Sequence, residues 1–283
     1  MGMRLQGLRV AVTGGARGIG RATAAALAAS GARVVIGDID DEAVAVTAAQ
    51  LTDTTGAEVI GFRLDVRDPE SFEKFLDLAE AGLGGLDVLV NNAGIMPTGS
   101  FLEESMDTAD RQVDINLRGV IIGSKFAARR FAARRSGHIV NVASILGLVA
   151  TPDIATYAAT KFGVVGLSSA LHQELAQFDV RVSTICPAFV NTQLIAGLSP
   201  NRITRLIGFV EPEDVARAVV AALVRRRGGL RVVPRIGGFA IALLTSMPEA
   251  LRIRVGRSLG SHDTVSKADM TQRALYLERA DRN

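Results

Sequence analysis

Tyr157 and Lys161 stand four residues apart in the run YAATK, and on a helix that spacing puts both side chains on one face. The pairing has a chemical reason. A phenol titrates near about 10, too high for a good base at neutral pH. An ammonium group beside it favours the phenolate and lowers that value. Tyr157 could then give a proton to a carbonyl oxygen or take one from an alcohol. Ser144, in NVASILG, precedes Tyr157 by thirteen residues. Its hydroxyl could orient a substrate oxygen and steady developing charge, although a serine just past a strand also serves as a turn or cap residue. Asn116, in VDINLRG, falls inside a helical stretch, where asparagine is mildly unfavourable. It needs either exposure or a role, such as holding a water or a locally opened helix turn.

A second set of residues fits a phosphate-bearing ligand. The first apolar run ends in TGGARGIG, Thr13 to Gly20, in which Gly14, Gly18 and Gly20 open a helix with Arg17 and Ile19 among them. Phosphate oxygens need close approach to backbone N–H groups, which a Cβ obstructs, and a helix N-terminus adds partial positive charge. The spacing is not GxGxxG, and tight turns use glycine too. Its place between a strand and a helix is what points to a dinucleotide. Eighteen residues past Gly20, Asp38 closes the second run. A carboxylate there accepts from ribose hydroxyls and repels the extra phosphate of NADP. Arg17 argues the other way, since a guanidinium can hold that phosphate. Asp38 outweighs it, so NAD is expected ahead of NADP. Asp65-Val66 and Asn91-Asn92-Ala93-Gly94 close the next two runs. Each could be an ordinary turn, but at successive strand ends they would line one groove.

Seven short runs rich in valine and isoleucine would carry these residues: 8–13, 33–38, 59–65, 86–91, 138–143, 180–186 and 230–234. They are apolar without alternation, as strands buried on both faces are. Helical patterns fill the gaps at 19–29, 41–51, 69–81, 106–134, 154–177 and 213–226. The alternation predicts an α/β fold, a Rossmann-like doubly wound parallel sheet of about seven strands with helices on both faces. Ligands of such sheets sit at the carboxyl ends of the strands, where the motifs fall. Residues 1–236 read as a single dinucleotide-binding and catalytic domain. Residues 237–283 leave the rhythm and read as a helical C-terminal extension.

TGGARGIG, Asp65, NNAG, Asn116, Ser144, YAATK and the later PAFVNT together resemble the short-chain dehydrogenase/reductase family, in its order and spacing, from about Leu5 to Pro234. The resemblance implies an oxidoreductase with Asn116, Ser144, Tyr157 and Lys161 as a catalytic tetrad. It implies that Lys161 also holds the nicotinamide ribose and that Asn116 positions a relay water. Asp65 would lie near the adenine, Asn91 and Gly94 near the adenosine half, and Pro187, Val190 and Thr192 on the nicotinamide side. It implies a homodimer or homotetramer as well. Ala188 departs from the glycine usual after that proline.

The composition narrows the alternatives. Cys186 is the single cysteine, so no internal disulfide forms. His138, His172 and His262 are scattered, so no metal site is expected. A net charge of +3 rests on arginine runs without a nucleic-acid motif, so no nucleic-acid partner is expected. The start shows no charged segment and apolar core of a signal peptide, and a cytoplasmic protein is expected. Ile95, Met96, Ile145, Leu148, Val149, Phe189, Leu194, Ile195, Leu198 and Leu206 would border the substrate, which predicts a lipophilic alcohol or ketone, steroid-like, retinoid-like or long-chain. Within the extension, 266–282 reads as an amphipathic helix that covers the pocket, packs on a partner or touches a membrane surface. Two other readings stand beside this one: an NADPH-dependent carbonyl reductase of a small polar substrate, and a nucleotide-binding regulatory protein without catalysis.

Overall fold

The computed structural model describes residues 5–195 and 209–258. Seven strands form one parallel sheet in the order β3-β2-β1-β4-β5-β6-β9. These are β1 Arg9–Thr13, β2 Arg33–Asp38, β3 Val59–Arg63, β4 Val88–Asn91, β5 Gly137–Val142, β6 Val180–Pro187 and β9 Gly229–Val233. Alternate residues of each strand face opposite layers. Val10, Val12, Val34 and Ile36 pack with Leu27, Val215 and Val219 on one side. Ala11, Val35 and Leu89 pack with Phe72, Phe75, Leu76 and Phe131 on the other. Burial on both faces is why the strands read as unbroken apolar runs.

The covering helices are α1 Gly18–Ala29, α2 Asp41–Thr55, α3 Pro69–Leu83, α4 Met106–Val113, α5 Gly119–Ala133, α6 Ala155–Glu174 and α7 Pro212–Arg225. Their starts follow capping chemistry. The Asp40 side chain accepts from Ala43 N, and the Asp68 side chain accepts from Glu70 N ahead of Pro69. The second helix outruns its sequence boundary at Leu51 and ends at Gly56, whose φ of 68° closes it in the left-handed region. The long helical pattern over 106–134 is interrupted. Asp114–Arg118 forms a π-turn between α4 and α5, and such turns re-aim the side chains they carry.

The chain runs from β3 over to β4, so the strand order reverses between β1 and β4. The crevice of a doubly wound sheet opens at that reversal. Two further strands, β7 Phe189–Val190 and β8 Phe209–Val210, pair in parallel beyond β6. Two residues each are too short to leave a periodic pattern, and the sequence reading missed them. After β9, helices α8 Arg235–Ser246 and α9 Glu249–Ser258 form the described part of the extension. Helix α8 begins two residues before the expected boundary and adds Ile241 to the buried cluster that holds Met96, Ile145 and Tyr157. Among the described residues no helix is long and apolar enough to cross a membrane. Leu198, Leu206, His262 and the amphipathic segment 266–282 lie outside the described residues.

Candidate active site

The turn after β1 is built for close backbone approach. Gly14 has a φ of 63°, and a Cβ there would stand 2.8 Å from Ala93 Cα. Asn92 fastens the turn: its Nδ2 donates to Thr13 O at 2.9 Å and to Gly14 O at 3.1 Å. Thr13 Oγ1 accepts from the amides of Asn92 and Ala93 at 3.0 and 3.1 Å, locking the ends of β1 and β4 together. Gly18 has a φ of 51°, and a Cβ would meet only the Thr192 side chain. No side chain caps the first turn of α1 and no acidic residue lies in it. Its free amides and dipole suit an anion. Gly20 has another task. It does not line the cleft, and a Cβ there would lie 2.0 Å from Gly14 O.

A cleft of about 800 Å³ runs from this turn across the strand ends. Arg17, Ile19, Asp38, Asp65 and Val66 line one part, and Ala93, Gly94, Tyr157, Lys161 and Thr192 the rest. Asp38 Oδ2 accepts from Ala16 N at 3.1 Å and Oδ1 from Asp40 N at 3.3 Å. Burial pushes its carboxyl above the ordinary range, while those amides and the Arg17 charge hold it back. Arg17 itself pairs with Asp40 at 2.5 Å. Asp65 is desolvated, yet the Arg67 guanidinium beside it, 2.7 Å away, keeps its carboxyl below the ordinary range. Asn91 is not in the cleft. The resemblance placed it near the adenosine half, but its Nδ2 donates to Asn141 and Ser124 in the buried layer behind the site.

Tyr157 and Lys161 project from α6 toward the cleft, and both are buried. The ammonium donates to Val142 O at 3.2 Å and lies 5.6 Å from the centre of the Tyr157 ring. Burial lowers its pKa to about 8, so it is still largely charged at neutral pH. Ser144 Oγ accepts from Leu146 N at 3.1 Å and caps the short turn Ile145–Gly147. Asn116 lines neither cavity. Its Oδ1 accepts from Ile95 N and its Nδ2 donates to Ile95 O, both at 2.8 Å. A Cβ on Gly94 would sit 3.0 Å from Asn116 Oδ1 and 3.6 Å from Lys161 Nζ. The π-turn thus aims Asn116 at the backbone that borders the cleft.

A second, smaller space of about 50 Å³ adjoins the cleft. Met96, Ser144, Ile145, Phe189, Leu194 and Ile195 border it, and Pro187 and Val190 line it rather than the cleft. Leu148 and Val149 pack behind it. Ile95 borders the cleft instead. Tyr157 lines both spaces. The geometry can therefore set a phenol between a large polar-ended groove and a small apolar pocket. Thr13, Thr160 and Arg67 were missed from sequence. Of these only Thr13 and Thr160 left a signal, by standing inside the motifs.

A family model described as short chain dehydrogenase matches residues 9–202. The chain is 37% identical over 221 residues to the 3-alpha-(or 20-beta)-hydroxysteroid dehydrogenase of Mycobacterium tuberculosis, covering 78% of this chain and 84% of that one. It is 34% identical over 261 residues to the probable oxidoreductase EphD of the same species, covering 86% of this chain. It spans only 44% of the length of EphD. The crystal structure of a short chain dehydrogenase/reductase from Burkholderia phymatum in complex with NAD superposes with a TM-score of 0.76 at 30% identity, covering 87% of this chain and 95% of that one.

Proposed function

The chain belongs to the short-chain dehydrogenase family, and from that premise we propose that it is an NAD-dependent oxidoreductase interconverting a lipophilic alcohol and its ketone or aldehyde, with Tyr157 giving and taking the proton. One observation carries the reading. The Tyr157 side chain borders both the cleft and the apolar pocket, with the buried Lys161 ammonium beside it.

The residues present fit a dinucleotide. Gly14 and Gly18 leave room where a Cβ would crowd Ala93 or stand in the left-handed region, and the uncapped start of α1 would receive phosphate. Asp38 has a carboxylate at the end of β2 to receive ribose hydroxyls. The Arg17–Asp40 pair engages the one cation that argued for NADP. Lys161, within the cleft, would hold the nicotinamide ribose, while Asp65 and Val66 would border the adenine and Thr192 the nicotinamide side. The chemistry supplied by the bound nicotinamide is hydride transfer at the carbon bearing the substrate oxygen.

The chain's own groups handle the oxygen. Ser144 borders the pocket and can donate to a substrate oxygen by turning its hydroxyl, whose lone pair already serves Leu146 N. Lys161, buried beside the ring, stabilises negative charge on the Tyr157 oxygen. Asn116 holds the Ile95 backbone, and so the floor beside Gly94, in place. Met96, Ile145, Phe189 and Leu194 exclude water and favour an apolar skeleton next to the reacting carbon. The hydroxysteroid dehydrogenase among the relatives supports the same class of substrate.

Exposed Ile121 and Phe162 on α5 and α6 support a homo-oligomer. Helices α8 and α9 expose Leu243, Leu251 and Ile253, with Arg252 and Arg254 adjoining in the chain, a composition suited to a partner subunit or a bilayer surface. The test of the activity is direct. Nicotinamide absorbance is followed with steroid, retinoid, aliphatic and sugar alcohols, after nucleotide titration. Tight NAD(H) binding with turnover confined to the apolar alcohols is expected. Failure to bind either nucleotide counts most heavily against the assignment.

A further inference from the structure

The helix that carries Tyr157 starts without a cap of its own. Ile154 precedes it and offers no capping side chain, and no acidic residue lies in its first turn. Tyr157 is only the third residue of that helix. A first turn without a capping side chain is prone to fray. A group that must meet a substrate oxygen within a fraction of an ångström needs an outside hold.

Glu104 is placed to supply one. It lies in the loop between β4 and α4, directly before Ser105, the cap of α4. One carboxylate oxygen accepts from Thr156 Oγ1, on the residue that precedes Tyr157. The other accepts from Gln112 Nε2 at 2.5 Å. Gln112 is buried and stands four residues before Asn116, where α4 enters the π-turn. The carboxylate thus ties the helix that presents Asn116 to the start of the helix that presents Tyr157. Two other links join the same segments. Asn116 Nδ2 donates to Thr160 Oγ1 at 3.4 Å, and that hydroxyl donates to Tyr157 O at 2.7 Å. Gly99 N donates to Asp153 O at 2.9 Å. Glu104 lines neither the cleft nor the small pocket, so it acts through Tyr157 and not on a ligand.

We propose that Glu104 is a positioning residue: clamped between Gln112 and Thr156, it orders the first turn of α6 and so sets the Tyr157 phenol for proton transfer. This rests on the reading of Tyr157 given above. Hydrogen bonds to an ionised acceptor are roughly twice as strong as neutral ones. Removing the acceptor also strands the buried Gln112 amide. The conservative variant should keep the tie. In Glu104→Gln the new carbonyl can accept from Thr156. Its NH2 can donate to Gln112 Oε1 once the Gln112 amide turns over, and that oxygen has no partner in the native arrangement.

The test uses the full chain and two readouts, peptide-resolved amide exchange and steady-state kinetics. Glu104→Ala is expected to raise exchange over 158–161 about tenfold and leave 165–172 unchanged. It is expected to lower kcat about tenfold or more while the NADH dissociation constant stays within about twofold. Thr156→Val should do the same, the double variant should be no worse than either, and Glu104→Gln should restore both readouts to within about threefold. Unchanged exchange over 158–161 overturns the proposal. So does exchange raised evenly along α6, raised exchange with unchanged kcat, or a Glu104→Gln variant no better than Glu104→Ala. If the wild-type chain binds NADH but turns over no alcohol, the reading of Tyr157 falls, and the exchange arm still decides whether Glu104 orders the turn.

Discussion

Replacing Lys161 with methionine should make the free protein more stable while removing its activity. The ammonium is 4% exposed and makes a hydrogen bond to Val142 O, with no carboxylate among its ion pairs in the described residues. Burial lowers its pKa from 10.5 to about 8. Folding therefore carries a penalty of about 3 kcal/mol for keeping this group charged at pH 7. Methionine has similar volume and no charge. Loss of the bond to Val142 O costs about 1 kcal/mol, which leaves a net gain of about 2 kcal/mol. For a chain of this size that corresponds to roughly 5 °C in Tm. The pH dependence carries the sign. The folded pKa lies below the unfolded one, so from pH 8 to 10.5 the unfolded chain binds more protons and wild-type stability rises with pH. The advantage of Lys161→Met is thus full below pH 8 and falls by about 2 kcal/mol by pH 9.5. Urea unfolding of both proteins at pH 7 and pH 9.5, without nucleotide, reads both quantities. A methionine variant that is less stable at pH 7, or an advantage that does not change with pH, refutes the burial argument.

Other expectations follow from single contacts. Gly20→Ala drives a Cβ to 2.0 Å from Gly14 O, so NADH affinity should fall at least tenfold in titration, whereas Gly18→Ala should cost only about 1 kcal/mol of left-handed strain; equal affinities for the two variants contradict this. Burial pushes His138 down to about 4, with Arg181 and Arg231 adding to the effect. Its folded pKa is depressed, so the associated stability is present above pH 6.5 and is lost on acidification, by about 2 kcal/mol between pH 7 and pH 5. His138→Gln should flatten that part of the pH–stability curve measured by urea unfolding, and an unchanged slope assigns the loss elsewhere.

The sheet was legible because most strands are buried on both faces, which leaves apolar runs such as VAVT and VVIG, and because helical stretches alternate with them as parallel crossovers require. The turn at Gly14 and the pair Tyr157–Lys161 were legible because their chemistry is local in sequence. What escaped was chemistry made by tertiary contact. Asn116 reads as a misfit in a helix, and only the fold shows its amide spanning the Ile95 backbone. Asn91 reads as part of the groove, yet strand pairing with Asn141 turns it into the layer behind. Gly20 reads as a phosphate contact but serves the packing of α1 against the first turn. The Glu104 clamp joins residues up to 52 positions apart, and no spacing in the chain announces it.

The most direct measurement is Tyr157→Phe. The ring and its packing survive this change while the hydroxyl is lost. NADH affinity by fluorescence titration should stay within about threefold of wild type, and kcat on an alcohol the wild type oxidises should fall by about 10³-fold. Turnover within tenfold of wild type, with nucleotide bound as tightly, would mean that the proton leaves by another group.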